Sequence, residues 1–318
     1  MESTKPDVVL KDFWRDNQRF ADLFNAVLFQ GQEVLKPDSL EEQDTEVSGI
    51  IEMKDYKETL SRTRDVVKKM SDGVEFVIFA AENQQHIHYA MPLRNMLYDS
   101  MGYLKECQEL ARKHRAAGEK LSGDEFLSGL KKEDRLHPII SLTIYYGETG
   151  WDGPCCLKDM IFDIPPQIRA VFPDYPMHLL EVRDSGKYFF RNPDVQTVFE
   201  ISREAMAGHF DMIQEKYRDI PIRSELLTVI GTMISSRELR AMGENKEVDN
   251  MCTAIERLKQ ENLEKGKIEG MEKGRIEGME KGKILLVKNM LLNGLSADEV
   301  KKYAQVTDRE IQKARELS

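Results

Sequence analysis

The stretch RDVVKKMSDGVEFVIFAAENQ, residues 64–84, decides which fold is predicted for this chain. It holds two segments separated by Ser-Asp-Gly, and an Asp-Gly pair in such a position is a signal for a β-hairpin turn. The second segment, residues 74–82, begins with an apolar run that is typical of a strand buried on both faces of a sheet. It ends abruptly in Glu82-Asn83-Gln84. The sequence therefore predicts a hairpin whose second strand ends in a carboxylate and two amides.

A tight turn in this hairpin brings three polar side chains onto one face of the sheet. If Asp72-Gly73 forms a two-residue turn, Asp65 lies opposite Ala80. Because side chains alternate along a strand, Glu82 and Gln84 then share that face. Asp65 and Glu82 become diagonal cross-strand neighbours, roughly 7–8 Å apart. A loop that is one residue longer turns Glu82 to the opposite face, so the predicted site depends on the register.

Hydrophobic periodicity and turn residues predict the rest of the main domain. Helices are predicted over residues 11–30, in the segment that follows Pro92, and in residues 193–243; strands over residues 63–70, 137–148 and 177–184; and loops over residues 35–60 and 115–135. The order helix, two strands, helix, two strands indicates an α/β layer with a mixed sheet. We therefore predict one main domain over residues 1–245, in which the last helices cap the sheet.

A glycine repeat follows the main domain. Residues 263–283 repeat with a period of eight, and a glycine recurs every four residues from Gly266 to Gly282. Each glycine costs a helix about 1 kcal/mol relative to alanine. Two interpretations remain open for residues 246–283: a charged linker or loosely held helix, which the glycine cost favours, or a helix whose glycine stripe packs closely against a partner helix.

The last segment, residues 284–318, is predicted to be a small helical tail. Gly294 is expected to end its first helix. Ser296 with Glu299, and Thr307 with Glu310, form two successive capping-box patterns that begin two further helices. Three short helices in succession are typical of a helix-turn-helix unit, and equally of a purely structural bundle.

Composition sets the broad class of the protein. The chain has 318 residues and a net charge of −10, which argues against a simple nucleic-acid coat protein but not against an enzyme that acts on DNA. It has no apolar run near the roughly 20 residues of a membrane span and no signal-peptide core. Its four cysteines form neither a metal knuckle nor a disulfide framework. We expect a cytoplasmic protein without a membrane partner.

The predicted hairpin face suits phosphodiester hydrolysis. This reaction needs a hard divalent cation that neutralises phosphate charge and activates a water, and Mg²⁺ or Mn²⁺ bound by Asp65 and Glu82 meets that need. Gln84 can orient the water but cannot supply the positive charge of a lysine. The candidate residues for binding the phosphates of DNA are the nearby basic ones, namely Arg62, Arg64, Lys68, Lys69 and Arg94.

The hairpin resembles that of the PD-(D/E)XK nuclease superfamily, with Asp65 as the first acid and Glu82-Asn83-Gln84 in place of the E-x-K triplet. It is more closely similar to the recombination-promoting nuclease / putative transposase (Rpn-like) family. That family resembles this chain in the D-V-V strand, in E-x-Q, in the following helix HYAMPLRNMLYD, and in the later segment HPIISLTIYYGETGW. The resemblance covers roughly residues 15–240.

The resemblance implies a restriction-endonuclease-like mixed β-sheet flanked by helices, here with a helical C-terminal extension. It implies a divalent-metal-dependent DNA endonuclease in which Asp65 and Glu82 are metal ligands and Gln84 is the third motif residue. Asp22 matches an acidic position of the family's first helix, whereas Asn25 stands where that family has a lysine. The alternatives are a catalytically weak or inactive nuclease fold that serves DNA binding or assembly, and a protein that forms homo-oligomers through its repeat and tail.

Overall fold

The computed structural model describes residues 6–43, 46–53, 56–63, 66–70, 73–81, 87–245 and 251–316. The chain divides into two compact units, Met1–Arg257 and Leu258–Ser318. Each unit is described by itself.

The first unit is built on a mixed β-sheet. Its strands, in chain order, are β1 (Leu40–Glu42), β2 (Glu46–Met53), β3 (Tyr56–Thr63), β4 (Val66–Met70), β5 (Glu75–Ala81), β6 (Ile139–Tyr145) and β7 (His178–Glu181). Five strands form one sheet in the order β1-β4-β5-β6-β7, whereas β2 and β3 form a separate antiparallel pair. The pairs β1–β4 and β4–β5 are antiparallel, and the pairs β5–β6 and β6–β7 are parallel. The predicted mixed α/β class is confirmed.

Nine helices of the described part belong wholly to the first unit. They are α1 (Pro6–Arg15), α2 (Asn17–Leu28), α3 (Met91–Ala116), α4 (Gly123–Ser128), α5 (Pro166–Val171), α6 (Pro193–Met206), α7 (Phe210–Lys216), α8 (Ser224–Met233) and α9 (Arg237–Glu244). Short 3-10 turns cover Pro37–Ser39, Leu157–Met160 and Val182–Lys187.

Helices cover both faces of the sheet. On one face, Val67 of β4 packs with Met91 and Tyr98 of α3 and with Met177 in a buried cluster. The next residue of β4, Lys68, points to the other face, where its ammonium group reaches α1 and α2. That face carries the large aromatic side chains of the core, which are Phe13, Trp14, Phe20, Phe24 and Phe199.

Four element predictions need correction, and one of them is the loop predicted over residues 115–135, which holds α4. Residues 35–60 were expected to form a loop, but they hold β1, β2 and most of β3. Strand formation depends on pairing more than on composition, and β-branched residues such as Val47 and Ile50 favour it within this acidic segment. The helix predicted over residues 11–30 is two helices, because Asp16 caps the start of α2 by accepting a hydrogen bond from the Arg19 N–H.

The fourth correction concerns residues 193–243, where two predicted helical segments are four helices, α6 to α9. Two residues with positive φ explain the breaks: Gly208 at +77° follows α6, and Ser235 at +55° precedes α9. A helix cannot continue through such a residue.

The second unit contains most of the long helix α10 (Met251–Leu292), together with α11 (Ala297–Ala304) and α12 (Asp308–Glu316). The glycine repeat lies within α10, so this segment is helical, and the five glycines from Gly266 to Gly282 face open space, as in a loosely held helix. Both capping boxes are confirmed: the Glu299 N–H donates to the Ser296 hydroxyl at 3.3 Å, and the Glu310 N–H to the Thr307 hydroxyl at 3.4 Å. Gly294, at φ +89°, ends the helix as predicted.

The three helices of the tail enclose a small apolar core. Its buried residues are Val287, Val300, Val306, Ile311 and Ala314. An ion pair of 2.9 Å joins Lys283 of α10 to Glu310 of α12 at the surface of this cluster. The tail is therefore a small packed bundle with its own core.

Candidate functional site

The carboxyl end of β5 is where the predicted nuclease site lies along the chain. Asp65, Glu82, Gln84 and the basic Arg64 lie outside the described residues. Their described neighbours are Val66, the first residue of β4, and Ala81, the last residue of β5. Since β4 and β5 are antiparallel neighbours, the start of one strand and the end of the other lie at the same edge of the sheet.

The register of the β4–β5 hairpin differs by one residue from the predicted register. A two-residue turn would pair Ser71 with Val74, but the Met70 N–H donates to the Val74 carbonyl at 2.9 Å. Three residues therefore separate the paired positions, and Gly73 adopts a left-handed φ of +98°. A three-residue hairpin loop with a left-handed glycine is a common alternative to the two-residue turn. Because an Asp-Gly pair also fits a three-residue loop, it predicted the hairpin correctly but its register incorrectly.

This correction affects the argument that placed Asp65 and Glu82 on one face. The described pairs run from Lys69 opposite Glu75 to Val66 opposite Ile78. Residues with the same parity of number therefore face the same side of β4 and β5, whereas the predicted pairing joined odd numbers to even numbers. The premise of a two-residue turn is wrong, and the two acids themselves lie beyond the described pairs.

Lys68 does not serve as a surface ligand for DNA phosphate, contrary to the prediction. Its side chain is fully buried, and its ammonium group donates to the Arg15 carbonyl and to the Asn17 side-chain oxygen. It also lies 5.4 Å from the centre of the Phe20 ring. Burial lowers the pKa of Lys68, while the acids Glu42 and Asp16 raise it by less. Lys68 is thus a structural cation that holds the end of α1 and the start of α2 on the sheet.

The other predicted basic residues are divided among elements. Lys69 is half-buried and stands opposite Glu41 of β1. Arg62 belongs to β3 and so to the separate two-stranded sheet. Closeness in sequence therefore does not make these residues a single patch.

Arg94 lies in the first turns of α3, as predicted. Its guanidinium carbon is 5.8 Å from the centre of the buried Tyr98 ring, and one of its terminal nitrogens is 3.4 Å from the Tyr98 hydroxyl. Its Nε is buried and has no hydrogen-bond partner among the described residues. No ion pair to a described carboxylate is present. The guanidinium group of Arg94 is therefore able to bind an anion.

Asp22 lies on α2 and contacts Arg191, in the segment that follows β7. Its Oδ1 accepts a hydrogen bond of 2.9 Å from the Arg191 N–H, and burial raises its pKa against the opposing effect of backbone donors at Arg191 and Asn192. It lines a cavity of about 360 Å³ together with Lys36 and Pro37. Those two residues precede β1, whose first residue pairs with the last residue of β4. Asp22 therefore lies between the loop that leads to β1 and the segment that follows β7.

Asn25, the residue that departs from the family's lysine, has a structural role. Its side-chain oxygen accepts hydrogen bonds from the N–H groups of Val34 and Leu35, at 3.0 and 2.8 Å, and its amide donates to the Leu35 carbonyl at 2.8 Å. These three bonds hold the loop that leads to β1. A lysine at this position could not accept the two hydrogen bonds from the N–H groups of Val34 and Leu35.

The loop that follows β6 is anchored to the sheet edge. The Trp151 N–H donates to the Glu181 carboxylate, and the indole N–H to the Gly153 carbonyl, both at 2.9 Å. The Trp151 ring meets the Tyr145 ring edge to face at 5.1 Å. These contacts make Tyr145 and Trp151 anchors of this loop.

Sequence reasoning missed two polar residues of α3 that face β6. The amide of Asn95 donates to the Thr143 hydroxyl at 3.0 Å, and the Ser141 hydroxyl donates to the Asp99 carboxylate at 2.6 Å. Tyr175 also donates to Asp99, and burial followed by this hydrogen bond raises the Tyr175 pKa. The signal available in the sequence was a row of polar residues, four apart, on the face of α3 that apolar residues would be expected to fill.

Within the part of the chain that the structure describes, no group of three or more histidine, cysteine, aspartate or glutamate side chains is arranged to hold a metal ion. Among the same residues, no helix combines the length and the apolar character that crossing a bilayer requires. Comparison with protein-family models, with curated proteins and with solved structures finds no match.

Proposed function

We propose that this protein is a divalent-metal-dependent endonuclease that hydrolyses DNA phosphodiester bonds, in recombination or in the transfer of mobile elements. One observation carries the proposal. Val66 and Ala81, the described neighbours of the two candidate acids, lie at the same edge of the sheet on adjacent antiparallel strands. The resemblance of residues 64–84 to a nuclease hairpin supplies the chemistry for that edge.

The order of elements supports the same proposal. A helix, the antiparallel strands β1, β4 and β5, the helix α3 and the parallel strand β6 follow one another along the chain, apart from the inserted β2–β3 hairpin. A mixed sheet flanked by helices is what the resemblance to restriction-endonuclease-like nucleases implies. Ligands of open α/β sheets commonly bind at the carboxyl ends of parallel strands, and β5, β6 and β7 end at one edge.

In this proposal Asp65 and Glu82 hold Mg²⁺ or Mn²⁺, which when bound neutralises phosphate charge and favours ionisation of a water. Gln84 orients the attacking water, and Arg94 and Lys69 bind the DNA backbone. The described register adds a requirement: one strand must carry one extra residue next to an acid for both carboxylates to face one ion. Such β-bulges are common next to active sites.

Cleavage of supercoiled plasmid tests this function. The full-length protein should nick plasmid in the presence of Mg²⁺ or Mn²⁺ and not in the presence of EDTA. Asp65→Ala and Glu82→Ala should each lower the rate at least 100-fold while the circular dichroism spectrum stays unchanged. Asp38→Ala, which removes an exposed carboxylate in the turn before β1, is the matched control and should cleave at the wild-type rate.

A second candidate function is a DNA-binding or assembly protein with an inactive nuclease fold. The observed register favours it, because a regular continuation of the two strands would separate the faces of the two acids. Tight binding of a DNA duplex with no cleavage by any divalent ion, at high protein concentration, would support this second function against the first.

A further inference from the structure

Helix α3 is attached to β6 by a row of hydrogen bonds. Besides Asn95–Thr143 and Asp99–Ser141, the Ile139 N–H donates to the Tyr103 hydroxyl at 3.1 Å, and the His137 N–H donates to the Glu106 carboxylate at 3.0 Å. From one contact of the row to the next, the residue number on α3 rises by three or four, while the residue number of its partner falls by two. The two elements therefore run antiparallel, and the first turns of α3 lie at the carboxyl end of β6.

The first two of these contacts are deeply buried. The exposed fractions are 1% for Asn95, 3% for Asp99, 7% for Ser141 and 0% for Thr143. Burying polar groups stabilises a fold less than apolar packing does, because their hydration is lost. Hydrogen-bonded polar groups in a core do fix one relative orientation, whereas apolar side chains tolerate sliding and rotation. These two buried contacts thus specify the rotation of α3 about its axis.

That rotation determines where Arg94 points. Successive residues of a helix differ in direction by about 100°, so with Asn95 facing β6 the neighbouring Arg94 faces sideways across the sheet. Tyr98, one helical turn after Arg94, lies on the same side of α3. Because Tyr98 packs in the cluster of Val67 on β4, this side of the helix faces β4. Arg94 accordingly lies on the side of α3 that looks toward β4, near the edge where that strand begins.

Arg94 is also an incompletely satisfied cation. Its guanidinium group lies over the Tyr98 ring, its Nε is buried without a hydrogen-bond partner among the described residues, and no described carboxylate neutralises it. A partly buried guanidinium in this state is suited to binding a phosphate, because the planar fork of donors matches phosphate oxygens.

We propose that Asn95 and Asp99 are positioning residues for Arg94: through Thr143 and Ser141 they fix the rotation of α3 and so aim the guanidinium of Arg94 at a backbone phosphate of DNA. The proposal rests on the proposed function in one respect, that the ligand is DNA. It does not require that the bound DNA is cleaved.

The test measures DNA binding by fluorescence anisotropy with a labelled 30-base-pair duplex, in Ca²⁺ in place of Mg²⁺ and over a series of salt concentrations. The full-length variants are Thr143→Val with Ser141→Ala, which remove the hydroxyl partners and leave α3 unchanged; Arg94→Ala; and the triple combination. Urea unfolding of each variant confirms that the protein is folded under the binding conditions.

We expect Arg94→Ala to weaken binding about 3- to 10-fold and to lower the salt slope by about one, the value for loss of one phosphate contact. The double hydroxyl variant should weaken binding to a similar extent. In the triple variant the hydroxyl substitutions should add nothing, because their effect passes through Arg94.

Tyr103→Phe is the matched control. It removes the next hydrogen bond of the same row, about 13 Å along the helix from Arg94, and should leave DNA affinity unchanged even where it lowers stability. The proposal is overturned if the hydroxyl variants unfold at lower urea concentration yet bind DNA like the wild type, or if their effect adds fully to that of Arg94→Ala. A wild-type protein that binds DNA without cleaving it contradicts the nuclease function alone, and one that binds no DNA contradicts both.

Discussion

At the scale of single residues, burial separates charged side chains that look alike in the sequence. Lys68 and Lys69 are neighbours in a basic stretch, yet Lys68 is fully buried and Lys69 is half-buried. Alternation along β4 explains the difference, since adjacent side chains point to opposite faces. Sequence reasoning recognised the alternation but had no means of knowing that a lysine would meet acceptors on α1 and α2 in the core.

Arg19 shows the same principle in a network that joins three helices. Only 8% of its side chain is exposed, and its terminal nitrogens lie 2.9 Å from the Asp194 carboxylate on α6 and 2.6 Å from the Glu225 carboxylate on α8. Arg223 also donates to Asp194. Burial raises the pKa of Asp194, but the hydrogen bonds from Arg223 and Arg19 together lower it by more.

We predict that Asp194→Asn lowers the free energy of unfolding by about 1–3 kcal/mol at pH 7, because two arginines lose a charged hydrogen-bond partner. The Asp194 pKa is lowered in the folded state, so this stabilisation is present above the unfolded value near 3.8 and is lost as the pH falls through the folded value. Urea unfolding at pH 7 and at pH 3 measures the difference, which should shrink at the lower pH.

The matched control for this prediction is Asp184→Asn, in an exposed ion pair of 3.4 Å with Lys187. An exposed pair contributes little, so its loss should change stability by less than about 0.5 kcal/mol. Equal effects of the two substitutions would show that the contacts of Asp194 with Arg19 and Arg223 do not stabilise the helix junction.

At the scale of elements, the connection after α3 is held by a histidine between two carboxylates. His114 lies 2.8 Å from Asp134 and 2.5 Å from Glu119, and Lys131 lies 2.6 Å from Glu119. The hydrogen bonds to Asp134 and Glu119 raise the pKa of His114. A protonated ring can donate to both carboxylates, whereas a neutral ring can donate to only one.

We predict that His114 protects residues 117–136 from hydrogen exchange in a pH-dependent way. Because its pKa is raised on folding, the contribution is complete below the unfolded value near 6.5 and is lost as the pH rises through the folded value. Hydrogen exchange of the wild type and of His114→Gln should differ at pH 6 and converge at high pH. A difference that stays constant across this range would contradict the prediction.

The glycine repeat is helical although its composition opposes a helix. The five glycines from Gly266 to Gly282 have no heavy atom within 4 Å of the position that a Cβ would take. Charged pairs along the helix, such as Glu272–Arg275 at 2.6 Å, give local support. Glycine propensity alone therefore underestimates the helicity of α10, because a helix that continues from a packed segment needs no nucleation of its own.

We predict that Gly270→Ala, Gly274→Ala and Gly278→Ala together make α10 more resistant to heat, by about 1 kcal/mol per site, because alanine has the higher helix propensity and meets open space. Thermal melting followed at 222 nm measures the change. Gly243→Ala in α9 is the opposing control, since its Cβ would lie 2.0 Å from the Thr228 hydroxyl and should destabilise the fold. Loss of helicity in the triple variant would indicate that the glycines contact a partner, such as a second copy of the chain.

At the scale of the whole molecule, the chain consists of two units with separate apolar cores. The tail core is small, with five buried residues, so it has little reserve of stability. The main unit has a much larger core on both faces of its sheet.

We predict that Ile311→Ala unfolds the tail helices α11 and α12 without lowering the protection of the β-sheet. Ile311 is 4% exposed, and truncating such a side chain costs about 2–5 kcal/mol, which is large for a bundle of this size. Hydrogen exchange read separately for the two units measures the effect. Tyr303→Ala, at a side chain that is 66% exposed in the same bundle, should leave both units unchanged.

The amino-acid sequence by itself determined the local features of this protein. The two capping boxes, the end of α10 at Gly294, the strands β5 and β6 and the existence of the β4–β5 hairpin all follow from residues close together in the chain. Their interactions form within one turn or one strand, so propensity and periodicity are sufficient to predict them.

Only the tertiary structure decided the hairpin register, the burial of Lys68, the contact of Asp22 with Arg191, and the polar contacts of Asn95 and Asp99 with β6. Each depends on residues that are distant in sequence: Lys68 on Arg15 and Asn17, and Asp22 on Arg191. A side chain that is solvated in one arrangement is buried and paired in another, and the free-energy difference arises from desolvation and packing partners that local sequence does not contain.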